Sequence, residues 1–169
     1  MEPQTRPARD YGTLADFLSR PVATRDAAMR LFTDAAWQVL APTGVSWIGF
    51  YTAEEGDREM VLAVCRDKPA CSPIGLHGAC GRSWREGRTL IVTDVKHLGP
   101  DYIACDPRDR SELVIPCFEA DGRCWGVLDV DSFDAGAFDE RDAEAMTDLL
   151  RSLGLSSPAA PEPEPPILV

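Results

Sequence analysis

Apolar residues recur at three- and four-residue steps from Thr24 to Leu40, where Ala27, Ala28, Leu31, Phe32, Ala35, Val39 and Leu40 share one side of a predicted helix. Thr24 suits its N-cap, Asp26 suits the positive end of the dipole, and Pro42-Thr-Gly44 ends it. A shorter helix is expected from Tyr11 to Arg20, with Leu14, Phe17 and Leu18 on one side and Pro21 as its stop. A third opens at Phe138-Asp-Glu-Arg-Asp142 with Asp139 as N-cap. It carries an apolar stripe of Ala143, Met146, Leu149, Leu150 and Leu153, and closes at Gly154. Between these helices the chain turns to short runs rich in β-branched and aromatic residues. They are Val45 to Tyr51, Met60 to Val64, Thr89 to Val92, a run opening at Glu112, and Cys124 to Ser132. Two polar stretches, Cys65 to Arg88 and Thr93 to Arg110, read as long loops, the first with a short helix near Ala79 to Glu86. This order describes an α+β domain with an antiparallel sheet. The domain is expected over residues 11–155, after a disordered lead (1–10) and before a flexible, proline-rich tail (156–169).

The last two strands can be put in register on paper. Asp121-Gly122 is a two-residue hairpin signal, because both central positions of a type I′ turn need positive φ. Counting outward from Ala120 facing Arg123 sets Glu112 opposite Asp131 and Val114 opposite Asp129. Alternation then places Glu112, Asp129 and Asp131 on one face. Like charges so arranged destabilise a sheet unless something offsets them. The face is therefore a site for a cation or for a ligand carrying one, or else a solvated acidic surface. Trp47 and Tyr51 share one face of their own strand, either as core or as the wall of a pocket.

Length and composition narrow the class. The chain's 169 residues suit one core, and 44% hydrophobic with 27% charged residues suits a soluble globular protein. A net charge of −11 repels phosphate backbones and anionic lipid, which disfavours nucleic-acid and membrane partners. The first ten residues hold no apolar signal region and no run approaches transmembrane length, so a cytoplasmic location is expected. Six cysteines in such a chain are expected as thiols, redox groups or metal ligands rather than structural disulfides.

Cys71, Cys80 and Cys105 sit on two consecutive loops that a compact domain can bring to one rim. A second thiol within reach makes the oxidation of the first reversible. Cys117 and Cys124 fall opposite the carboxylates and read as small core residues. Cys65, Cys71, His77 and Cys80 offer soft ligands, but their spacing lacks the paired C-x₂-C knuckles of common zinc sites. There is no G-x-S-x-G, P-loop or dinucleotide fingerprint.

Six segments in one order carry a resemblance. Trp47-Ile-Gly-Phe-Tyr51, Lys68-Pro-Ala-Cys71, Gly78-Ala-Cys-Gly81, Ile103-Ala-Cys-Asp106, Ser111-Glu-Leu-Val-Ile-Pro116 and Gly126-Val-Leu-Asp-Val-Asp-Ser132 together resemble the GAF-domain free methionine-(R)-sulfoxide reductases, from about Tyr11 to Leu153. The resemblance implies a GAF-like fold: a central antiparallel sheet, the terminal helices on one face, and a loop-covered pocket on the other. It implies Cys105 as the nucleophile at the sulfoxide sulfur, Cys71 as the main resolving thiol and Cys80 as a second one. Glu112, Asp129 and Asp131 would hold the substrate ammonium and assist at the sulfoxide oxygen, and Trp47 and Tyr51 would wall in the thioether methyl. The implied substrate is free methionine sulfoxide and the implied reductant is thioredoxin-like. No bound cofactor is implied, and a homodimer is one assembly open to such a domain. The other class that fits is a non-catalytic GAF module that binds a small molecule or senses oxidants. Departures from the family pattern fall in the pocket-covering loops: the Cys71-to-Cys80 interval is one residue short, and the Asp94-to-Cys105 loop is one long.

Overall fold

The computed structural model describes residues 8–67, 70–158 and 164–169. Helices α1 (Tyr11–Leu18) and α2 (Arg25–Leu40) lead into strands β1 (Val45–Thr52), β2 (Glu59–Arg66) and the two-residue β3 (Ile74–Gly75). Helix α3 (Ala79–Glu86) and β4 (Leu90–Val92) follow, then β5 (Ser111–Phe118), β6 (Cys124–Ser132), α4 (Glu140–Ser152) and β7 (Ile167–Leu168). Each long helix begins where its sequence places a cap. Thr24 accepts from the Ala27 amide, and Asp139 and Asp142 form a reciprocal capping box. Gly44, at φ 101°, turns the chain out of the 3₁₀ turn that follows α2.

The strands form one sheet in the order β3-β2-β1-β6-β5-β4-β7. Two apolar clusters lie on its two sides. Phe32, Ile48, Phe50, Leu128, Met146 and their neighbours join α1, α2 and α4 to one face. Trp47, Tyr51, Met60, Leu90, Val114 and Val127 belong to the other, with Ala79 and Cys80 of α3 packed over them. The fold thus has the terminal helices on one face and the loops with α3 on the opposite one.

The hairpin reaches the expected register by an unexpected route. Among the described residues only glycines have positive φ, so Asp121 is no part of a type I′ turn. Instead the Glu119 carbonyl accepts from the Gly122 amide (3.0 Å), and the Glu119 amide donates to the Arg123 carbonyl (2.8 Å). Ala120-Asp121-Gly122 is a three-residue loop with Gly122 at φ 86°. Alone, this loop would slip the pairing by one residue. A bulge cancels the slip: Phe118 pairs with Cys124 but Cys117 with Gly126, leaving Trp125 as the extra residue. Trp125 is held on the helix side, where its indole N–H donates to the Leu155 carbonyl (3.0 Å) and its ring stacks on Phe50. Glu112 therefore pairs with Asp131 and Val114 with Asp129.

Both ends depart from expectation. Residues 1–7 of the expected lead lie outside the described residues, but Arg9 is anchored. Its guanidinium donates to Thr43 Oγ1 (3.1 Å) and the Ala137 carbonyl (2.9 Å) and pairs with Asp142 (2.6 Å), which also accepts from the Tyr11 hydroxyl (2.6 Å). Residues 159–163 of the expected tail are likewise outside the described part. The tail's end is not loose: β7 pairs in parallel with β4, and the Val169 carbonyl accepts from the Thr93 amide at 2.8 Å. The sheet is consequently mixed rather than wholly antiparallel. Ile167 and Val169 pack against the pocket-side cluster, which gives the segment an apolar reason to dock that its prolines conceal.

Candidate active site

Trp47, Tyr51, Cys80, Cys105, Glu112, Asp129 and Asp131 line one cavity of about 100 Å³ between the sheet and the two long loops. That is room for a small solute rather than a single water. The aromatic wall follows from the strand pattern Trp47-Ile-Gly-Phe-Tyr51. A Cβ on Gly49 would lie 2.8 Å from Trp47 Cζ2, so the glycine lets the indole lie along the strand toward Tyr51, with ring centroids 6.0 Å apart.

The carboxylates come from the paired centres of β5 and β6. Asp131 faces Glu112 on one side and Trp47 on the other, and Asp129 faces Gly49. One oxygen from each of Glu112, Asp129 and Asp131 lies within 4.8 Å of the others, close enough to share a single cation. Burial pushes all three carboxyls up and neighbouring negative charge adds to it: Asp129 helps to lift Glu112 and Asp131 well above the usual carboxylate range, and Asp109 helps to raise Asp129 to about 7. Glu112 and Asp129 are 8% and 7% exposed, and Asp129 Oδ1 has no hydrogen-bond partner among the described residues. A buried acceptor left unpaired beside two other acids is a poor arrangement for stability and a good one for an incoming donor. With the apolar wall beside them, the acids suit an organic cation.

Cys71 and Cys105 are joined in a disulfide, with Cα atoms 5.6 Å apart. The Cys71 loop is fastened to the sheet by the Tyr51 hydroxyl, which donates to the Cys71 carbonyl (2.8 Å), and by Ser72 Oγ, which accepts from the Leu62 amide (3.1 Å). The Cys105 loop packs on the start of α3 at Gly78, where a Cβ would meet Ile103 Cδ1 at 2.7 Å. Lys68 and Pro69 of the segment before Cys71 lie outside the described residues.

The other four cysteines are in no disulfide. Cys80 is buried at the first turn of α3, and burial first, then the negative charge of Asp129, pushes its thiol up. Cys117 is buried on the helix side of the sheet. Cys65 packs on the pocket side beside Trp47, and its thiol is raised by burial.

Among the pocket residues that the sequence reading missed, three stand out. Tyr102 and Ile103 enter from the loop before Cys105, and Asp109 adds a fourth buried carboxyl from the loop after it. A loop has no periodicity that would aim a side chain, so the only sequence signal for Asp109 was its closeness to Cys105.

A GAF-domain family profile matches residues 22–155, and the chain belongs to the GAF domain family. Within that class, several of its likenesses are free methionine-R-sulfoxide reductases. The chain is 34% identical over 114 residues to the free methionine-R-sulfoxide reductase of Saccharomyces cerevisiae, a match covering 66% of this chain and 63% of that protein. It is 41% identical over 108 residues to GAF domain-containing protein A of Dictyostelium discoideum, covering 63% and 66%. The aligned stretches thus span just under two thirds of these relatives. The solved free methionine-R-sulfoxide reductase of Neisseria meningitidis, in complex with its substrate, superposes with a TM-score of 0.71 at 35% identity, covering 85% of this chain and 83% of that one. The fold is that of GAF domains, and the group that the six sequence segments resemble is among the chain's relatives.

Proposed function

We propose that the protein reduces free L-methionine-(R)-sulfoxide to methionine with its own cysteines. The observation that carries this reading is the Cys71–Cys105 disulfide at the rim of a pocket holding three stacked carboxyls and an aromatic wall. A free amino acid has an α-ammonium that a methionine within a protein chain lacks, and the acids offer it a counter-charge. Trp47 and Tyr51 give the methyl and thioether an apolar surface.

In this reading the Cys105 thiolate attacks the sulfoxide sulfur while one of the raised carboxyls delivers a proton to the sulfoxide oxygen. The attack joins the Cys105 sulfur to the substrate sulfur; the protonated oxygen then passes from the substrate sulfur to the Cys105 sulfur as the sulfur–sulfur bond breaks, releasing methionine and leaving Cys105 as a sulfenic acid. The Cys71 thiol attacks the Cys105 sulfur, water departs, and the disulfide closes. Two thiols of an external thioredoxin-like dithiol then reopen it, so the net change is sulfoxide and dithiol to thioether, disulfide and water. Cys71 is the resolving thiol. Cys80, buried and protonated, is a slower reserve. No step needs a bound cofactor, and a cytoplasmic location would suit a thioredoxin-like reductant.

The test is NADPH consumption with thioredoxin and thioredoxin reductase at increasing free methionine-(R)-sulfoxide. Wild type should turn over, Cys105→Ser should not, and Cys71→Ser should lose most turnover while still forming methionine once per enzyme. No consumption by reduced wild type would leave a binding or sensing GAF domain.

A further inference from the structure

Cys71 is held from the sheet and not only from its disulfide partner. It lies between the end of β2 at Arg66 and the start of β3 at Ile74. Three ties fix the chain there. The Tyr51 hydroxyl, from β1, donates to the Cys71 carbonyl at 2.8 Å. Ser72 Oγ accepts from the Leu62 amide of β2 at 3.1 Å, and Ile74 pairs with Met60 of the same strand. All three partners belong to β1 or β2 and none to the Cys105 loop, so opening the disulfide removes none of these ties. Cys105 itself is exposed on its own loop.

Tyr51 serves at both ends of its side chain. The residue is 2% exposed, and its ring lies 6.0 Å from that of Trp47 in the pocket wall. Its hydroxyl reaches the loop. Burial first, and then the negative charge of Asp129, pushes that hydroxyl up, so it remains a protonated donor wherever thiols react. A sulfenic acid has competing fates, further oxidation and capture by other thiols, so the speed of closure decides whether the cycle stays reversible. A thiol whose own carbonyl is pinned has less conformational freedom to lose on meeting its partner. We propose that the Tyr51 hydroxyl is a positioning group for the resolving step: it holds the Cys71 backbone on the sheet so that the Cys71 sulfur meets the Cys105 sulfenic acid as it forms. In that step the sulfur–sulfur bond forms, the Cys105 sulfur–oxygen bond breaks, and the Cys71 thiol proton leaves with the hydroxyl as water. The roles of Cys105 and Cys71 are those of the function proposed above, on which this inference rests.

The experiment treats reduced full-chain wild type, Tyr51→Phe and Ser72→Ala with free methionine-(R)-sulfoxide in the presence of limiting dimedone, which traps sulfenic acids. Mass spectrometry then gives the ratio of trapped Cys105 to Cys71–Cys105 disulfide, and methionine is counted in the same quench. Phenylalanine keeps the ring and removes only the donor. The ratio should rise about fivefold, the factor that one ordinary hydrogen bond carries. A hydroxyl that served only the substrate or the fold would change the rate of methionine formation and leave this ratio where it is. A ratio in Tyr51→Phe equal to that of wild type overturns the inference. If Tyr51→Phe fails to fold, Ser72→Ala decides: its ratio should rise about twofold, and no rise is equally fatal. A parallel arm uses hydrogen peroxide, which converts the Cys105 thiolate to the same sulfenic acid with release of water. Wild type that forms no methionine overturns the functional reading, and the peroxide ratios then decide this one alone. Wild type that forms methionine with ratios unmoved by either substitution overturns only this one.

Discussion

Replacing Asp129 with asparagine should make the ligand-free protein more stable at neutral pH while impairing its activity. Asp129 is buried, its Oδ1 has no hydrogen-bond partner among the described residues, and burial pushes its carboxyl up from 3.8 to about 7. A carboxyl whose folded pKa lies above its unfolded value binds more protons when folded. Its contribution is most favourable below about pH 4 and is lost as pH climbs through about 7. Taken whole, that displacement is worth ~4 kcal/mol of destabilisation above pH 7. Asparagine is the same size and does not ionise, and it also relieves the repulsion that Asp129 exerts on Glu112 and Asp131. Its amide must still find partners in the pocket, so the expected net gain is ~1–3 kcal/mol, or about 3–10 °C in Tm for a chain of this size. The assay is thermal unfolding by circular dichroism of the oxidised, ligand-free protein at about pH 4, 5.5 and 7.5. The gain should be full at the highest pH and gone at the lowest. A variant less stable than wild type at pH 7.5, or one with the same gain at pH 4, would refute the reasoning. Activity gained at the expense of stability in this way is a common arrangement.

Other predictions follow from the same physics. Arg9→Ala leaves Asp142 buried without its cation, and should lower the urea-unfolding free energy by ~3–5 kcal/mol, while pairing it with Asp142→Asn should cost far less than the sum of the two single changes. Deleting residues 159–169 strips β7 from the edge of β4. A loss of ~1–2 kcal/mol and concentration-dependent association by light scattering are expected, because β4 then presents an open edge. Gly49→Ala should weaken substrate binding and lower Tm together, since the added methyl meets both the Trp47 indole and, at 2.8 Å, the Val64 backbone carbonyl of β2.

Much of the fold was legible because it rests on periodic burial and local capping. Thr24 and Asp139 cap where their hydroxyl and carboxyl chemistry says they should, and α3 spans the residues Ala79–Glu86 expected of it. The carboxylate register was legible for a subtler reason. The turn type was misread, but the Trp125 bulge displaces the pairing by the same single residue in the opposite sense, so the strand centres coincide with the paper count. Burial of one face punishes a one-residue slip in the middle of a strand far more than an irregular turn at its end. What stayed hidden depends on long-range partners. Asp109 is aimed by Ser46, sixty-three positions earlier in the chain. Arg9 is fixed by Asp142 at the far end of the domain, and β7 by an edge of β4 that local sequence does not reveal.

The central claim is best tested by counting thiols. Fully reduced protein, mixed with one equivalent of free methionine-(R)-sulfoxide in the absence of reductant, should lose two thiols, and peptide mapping should find them as Cys71 joined to Cys105. The S epimer should leave the thiol count unchanged. Intact thiols with the R epimer, or equal loss with both epimers, would contradict the account.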